Sequence, residues 1–181
     1  MSMGSPVRLS IPTPDAMHAL GRDLARLARP GDLFILIGEL GAGKTQLAQG
    51  IGEGLGVVGA VISPTFVLSR IHRSAGDGPN LVHVDAYRLA SRGEIDDLDV
   101  EAYMPDAVTV IEWGRDKAEH LSGDRLEIEI LRAADPEDET REVIVTPVGE
   151  RWDDLVPQWE ALVNEDMGRD AQADADGGSD V

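Results

Sequence analysis

The sequence predicts an α/β domain with an antiparallel hairpin near its C-terminus. Three observations carry this. Short apolar runs of strand type alternate with segments of helical periodicity, a glycine-rich turn joins one such run to a helix, and two late strand-like runs flank a charged loop. A chain of 181 residues suits one domain, expected over residues 1–164.

The elements follow in order. Val7–Ile11 is a short strand. Thr13 then offers a hydroxyl N-cap, Pro14 fits the first helical position and Asp15 complements the helix dipole. Met17, Leu20, Leu24 and Leu27 recur at helical spacing until Pro30-Gly31 stops the helix. The five apolar residues Leu33–Ile37 mark a strand buried on both faces. Lys44–Leu55 reads as a helix leaving a glycine-rich turn. Further strands are expected at residues 66–71, 81–86, 107–111, 125–131 and 142–146. Pro136 and the charges of residues 133–140 make the hairpin loop between the last two. A final helix over residues 151–164 would pack Trp152, Leu155, Trp159 and Leu162. Residues 165–181 carry six acids and one arginine without apolar periodicity, so they read as a disordered acidic tail.

Composition narrows the function. A net charge of −18 repels phosphate backbones and anionic lipid, which disfavours unaided nucleic-acid or membrane binding. With no cysteine, disulfides, thiol catalysis and Cys-ligated metals are excluded. No apolar run approaches the ~18 residues of a membrane span, and the first ten residues lack a signal-type apolar core. The expectation is a soluble cytoplasmic protein.

The strongest motif is Gly38-Glu39-Leu40-Gly41-Ala42-Gly43-Lys44-Thr45, which fits G-x-x-x-x-G-K-[ST] between a buried strand and a helix. Glycines let the backbone N–H groups of Leu40, Gly41, Ala42, Gly43, Lys44 and Thr45 converge on phosphate oxygens, with the helix dipole aimed at the same anion. Lys44 would reach the β- and γ-phosphates and the Thr45 hydroxyl would hold Mg²⁺. The bland alternative is a glycine turn that matches by accident. Guanine readers carry N/T-K-x-D, whereas the only other lysine stands in Asp116-Lys117-Ala118-Glu119, so ATP is the expected nucleotide.

A P-loop metal site usually gains a carboxylate from a neighbouring strand end. Asp85 and Glu112 each end a β-run, and each could equally be an ordinary strand-end acid. Thr65, in Ser63-Pro64-Thr65-Phe66, is either a turn residue or a threonine aimed at the γ-phosphate. Trp113 follows Glu112 and is expected near the surface. His83 has no second His or Cys at ligand spacing and reads as structural.

Together GELGAGKT, SPTF, HVDAYRL and IEWGR resemble the TsaE (YjeE) family of small bacterial P-loop ATPases that take part in making threonylcarbamoyladenosine in tRNA. The resemblance runs from about residue 10 to 141. It implies a P-loop NTPase-like three-layer fold with a mixed central sheet, binding ATP and Mg²⁺. By the same resemblance Thr45 and Glu112 serve the metal, and Asp85 serves the metal and hydrolysis. It also puts Thr65 in a switch-like stretch and Trp113 near the nucleotide or a partner, with Thr13, Pro14 and Arg141 flanking the adenosine. The implied partners are the TsaB and TsaD proteins, tRNA being met only through them. Slow ATP hydrolysis, stimulated by that complex, would support its turnover. Two other classes stay open from the residues alone: a small-molecule kinase, and a nucleotide-gated binding module.

Overall fold

A computed structural model describes residues 3–176, with side chains as far as Glu165. One seven-stranded mixed sheet runs through the molecule, made of β1 (Val7–Ile11), β2 (Leu33–Ile37), β3 (Ser69–His72), β4 (Asn80–Asp85), β5 (Ala107–Glu112), β6 (Arg125–Arg132) and β7 (Arg141–Val148). Their spatial order is β1-β7-β6-β2-β5-β4-β3. The central strands are parallel, β2 to β5 and β6, and β4 to β5. The flanks are antiparallel, with β7 pairing β6 and β1 on one side and β3 pairing β4 on the other.

Alternation along the strands builds two cores. Phe34 and Leu36 of β2 face helices α1 (Pro14–Leu27), α2 (Lys44–Leu55) and α4 (Leu155–Asp176), joined there by Leu24, Leu47, Ile51 and Trp159. Leu33 and Ile35 point the other way and pack with Val82, Val84, Ile111 and Ile95 of the short helix α3 (Arg92–Asp96). That double burial is why β2 reads as an unbroken apolar run. No helix among the described residues is long and apolar enough to cross a membrane.

The α1 helix begins as its sequence predicts, with the Thr13 hydroxyl accepting from Ala16 N at 3.1 Å and Pro14 in the first turn. It packs on α2 at backbone contact. A Cβ on Gly50 would sit 2.0 Å from the His18 carbonyl oxygen, so only glycine fits there.

Three expectations need correction. The strand placed at 66–71 is shorter and later, because Leu68 N donates to Pro64 O at 2.6 Å and Leu68 takes φ 69°, closing a turn where a strand was expected. At the C-terminus a 3₁₀ turn, Glu150–Trp152, precedes α4, which continues to Asp176 rather than ending near 164. Residues 177–181 of the expected tail lie outside the described residues. Leu162 is also 60% exposed; the buried stripe is Trp152, Val156, Trp159 and Val163.

A buried ion pair ties this C-terminal segment to the sheet. Arg151 donates from Nε to Asp32 Oδ1 at 3.2 Å and from Nη2 to Asp32 Oδ2 at 3.0 Å, and Nη2 also donates to Leu27 O at 2.8 Å. Asp32→Ala should destabilise the fold by about 3–5 kcal/mol, since it strands the guanidinium in a nearly closed site. Urea unfolding checks this. A loss below ~1 kcal/mol would show the pair to be solvated.

Candidate functional site

The site forms where the parallel strands end, on the α2 face of the sheet, as expected for open α/β sheets. Asp85 and Glu112 are partners across the β4–β5 register, and Leu36 of β2 pairs with Glu112 on its other side. Period-two alternation puts His83, Asp85 and Glu112 on the same face as Leu81 and Val110, which α2 covers. The loop 38–43 leaves β2 on that side and turns into α2 through Gly43. At φ 115° this position tolerates essentially only glycine.

Four ionisable side chains are packed here almost out of water. Exposures are 5% for Lys44, 6% for Asp85, 3% for Glu112 and 0% for His83. Lys44 Nζ donates to Gly38 O at 2.7 Å and Glu39 O at 2.8 Å, and sits 4.1 Å from the centre of the Trp113 ring. Burial holds its pKa below the ordinary lysine value, against the opposing pull of Glu112, Asp85 and Glu39. The cation is therefore held at a desolvation cost.

Glu112 divides its two oxygens. Oε1 faces the Thr45 hydroxyl across 3.5 Å, the outer limit of a hydrogen bond. Oε2 accepts from His83 Nε2 at 2.7 Å and lies 3.2 Å from Ser63 Oγ. The same Ser63 Oγ is 3.2 Å from Asp85 Oδ2, and Asp85 Oδ1 accepts from Tyr87 N at 3.0 Å. One serine hydroxyl thus sits between two adjacent carboxylates.

Leu40, Gly41, Gly43, Lys44, Thr45, Thr65, Asp85, Glu112 and Trp113, all singled out in the sequence, line one cavity of about 450 Å³. Trp113 is half-buried, as its position implied. It takes φ 61°, its N–H donates to Leu36 O at 3.0 Å, and its ring packs 4.9 Å from that of Tyr87. Ala42, Thr13, Pro14 and Arg141 belong to a second, smaller hollow of about 130 Å³ on the other side of the glycine loop, with Met17, Gln46 and Glu139. Arg141 Nε donates to Ala42 O at 3.2 Å there, tying β7 to the loop. His83, read from the sequence as structural, is buried in direct contact with Glu112, a partner that reading did not name. Ser63 was also missed. Both stand inside segments that were quoted, but which strand face each would occupy was not legible.

These residues can hold an anionic ligand at the helix terminus and a hard cation beside it. The oxygen set of Thr45, Glu112 and Asp85 suits Mg²⁺, which takes one or two carboxylates and completes its shell with water and phosphate oxygens. Among the described residues no cluster of three His, Cys, Asp or Glu could hold a metal unaided, so any such site would need oxygens from a ligand.

Fold and site thus define an α/β protein with a glycine-rich loop at the N-terminus of α2 and a buried acid pair beside it. The model of the family described as "Threonylcarbamoyl adenosine biosynthesis protein TsaE" matches residues 11–143. The protein belongs to the TsaE family. It is 59% identical over 138 residues to the tRNA threonylcarbamoyladenosine biosynthesis protein TsaE of Streptomyces coelicolor, covering 75% of this chain and 93% of that one. The Bacillus subtilis TsaE is 39% identical over 143 residues, covering 78% and 86%. Among solved structures, the crystal structure of Bacillus subtilis YdiB superposes with a TM-score of 0.66 at 31% identity, over 94% of this chain and 99% of that one.

Proposed function

We propose that this protein is the ATP-binding and ATP-hydrolysing component of the threonylcarbamoyladenosine machinery, acting in the cytoplasm on a TsaB–TsaD complex, on a P-loop NTPase-like three-layer fold. The observation that carries the reading is the convergence of Lys44, Thr45, Asp85 and Glu112 on one cavity at the N-terminus of α2.

In this reading the loop N–H groups and the α2 dipole bind the phosphates. Lys44 turns from the Gly38 and Glu39 carbonyls to phosphate oxygens, exchanging two neutral acceptors for charged ones. Thr45 and Glu112 would hold Mg²⁺, with Asp85 beside them. A metal held there would supply positive charge against that developing on the phosphate oxygens. Thr65 lies across the same cavity, where it can meet the γ-phosphate. Thr13, Pro14 and Arg141 flank the nucleoside. None of these groups is placed to take a proton from water free of a strong competing bond. Hydrolysis by the protein alone is therefore slow, and a partner supplies the missing stabilisation.

The rim of the cavity supports a protein partner. Leu40 is 80% exposed and Phe66 82%, with the Arg88 guanidinium 4.6 Å from the Phe66 ring. These exposed apolar side chains are available to a protein partner docking beside the glycine loop and the Thr65 segment.

The test is ATP hydrolysis by the purified protein, alone and with TsaB and TsaD from the same source. Little turnover alone and clear stimulation by the complex is the expected outcome. Tight ATP binding without stimulation would replace the ATPase reading with that of a nucleotide-gated module.

A further inference from the structure

We propose that His83 is the positioning residue for Glu112, fixing one carboxylate oxygen so that the other stays turned to Thr45 and the metal position. The proposal rests on the reading of this cavity as a Mg²⁺–nucleotide site and adds to it a residue that touches neither ligand.

The geometry is specific. His83 is fully buried in β4, where its neighbours Leu81, Val82 and Val84 are apolar and fully buried, two residues before Asp85. Its Nε2 is 2.7 Å from Glu112 Oε2. A carboxylate only accepts, so the imidazole nitrogen is the donor. The other ring nitrogen, Nδ1, is buried without a hydrogen-bond partner. One unmet polar atom in the core is a cost that packing alone does not explain, because an apolar side chain of similar size would avoid it. What the imidazole contributes is a directed N–H toward one oxygen of Glu112.

The consequence follows from how the carboxylate is anchored. Glu112 ends its strand beside Asp85, and two neighbouring carboxylates repel. Ser63 Oγ lies between Asp85 Oδ2 and Glu112 Oε2 and has one hydrogen to share between them. Of the two groups at Oε2, only His83 is committed to Glu112 alone, and at 2.7 Å its bond is far shorter than the 3.5 Å contact of Thr45 with Oε1. Without it the carboxyl group can rotate about its last torsion, and Oε1 is no longer held opposite Thr45. Groups that orient a metal ligand in this way typically change metal affinity by about 10–100-fold.

The test compares His83→Gln with His83→Asn. A glutamine amide nitrogen reaches the position of Nε2, whereas an asparagine amide stops near Nδ1, and both place a similar amide in the core. Mn²⁺ binding in the presence of a non-hydrolysable ATP analogue, followed by water-proton relaxation, reads the metal without turnover. His83→Asn should weaken Mn²⁺ binding at least about tenfold, and His83→Gln should remain within about threefold of the wild type. Both should bind the analogue normally in EDTA. Equal losses in the two variants, or no loss in His83→Asn, would overturn the proposal.

Glu112→Gln separates the two possible failures. Mn²⁺ affinity retained in that variant refutes the metal site and the proposal with it. Affinity lost there but kept in His83→Asn refutes the positioning role alone. A measurement on the unaltered protein is independent of how the variants fold. Imidazole ¹⁵N NMR should find His83 with its proton on Nε2, both free and with Mg²⁺ and the analogue. A proton on Nδ1 alone would overturn the proposal.

Discussion

Lys44→Ala should lower ATP affinity by at least about 100-fold and abolish measurable hydrolysis. Among the described residues that line the cavity Lys44 is the only cation, and each charge-assisted hydrogen bond it would make to a phosphate oxygen contributes roughly 1.5–3 kcal/mol. The free protein already holds Lys44 in a desolvated position, with its pKa pulled down by burial and its ammonium bonded to two loop carbonyls. Phosphate oxygens would reverse that penalty, which makes the bound state gain more than a surface lysine could give. The substitution has a second effect. Asp85 and Glu112 lose the positive charge that offsets their mutual repulsion, so phosphate would enter a cavity of net negative charge. Lys44→Met keeps the apolar stem against Trp113 and isolates the charge. Titration with a fluorescent ATP analogue checks both variants. An affinity within threefold of wild type would show that the phosphates do not lie at this loop.

Glu112→Ala should separate binding from chemistry. We expect Mg²⁺-dependent hydrolysis to fall by about 10²–10³-fold, the size of effect seen when one preorganised electrostatic group is removed from a reacting phosphate or oxyanion. Analogue binding in EDTA should be unchanged or tighter, because a buried negative charge beside the phosphates has gone. The opposite signs of these two effects make the prediction demanding. A weaker metal-free affinity would show that Glu112 supports the loop rather than the metal. Single-turnover hydrolysis and the EDTA titration are measured on the same preparation.

Much of the cavity was legible because a glycine loop that opens a helix depends on backbone geometry, and backbone geometry leaves a mark in sequence. Positive φ favours glycine at 43 (φ 115°) and at 41 (φ 77°), and the helix start follows directly. Strand ends are also legible, since an acid that closes an apolar run stands at the sheet's C-terminal edge. What lies beside what was not. Ser63 reaches Asp85 and Glu112 from 22 and 49 residues away, and His83 reaches Glu112 from 29. A lone histidine inside an apolar run has no local pattern to betray a partner on the next strand. The misplaced β3 has a similar cause. Val67 and Leu68 have strand propensity, but the turn closed onto Pro64 and the positive φ of Leu68 end the strand there, although Asp85 N still donates to Leu68 O in the β3–β4 register.

The family was determined by the sequence itself, in four short motifs whose order and chemistry are specific. So were the alternation of strands and helices, the doubly buried β2 and the glycine loop, because each arises from interactions within a few residues. Only the tertiary structure decided the strand order, which oxygen of Glu112 faces Thr45, and the stripe by which α4 docks. Those depend on the register between β4 and β5 and on faces meeting across the core. Period-two alternation and helical periodicity limit those faces but do not assign their partners.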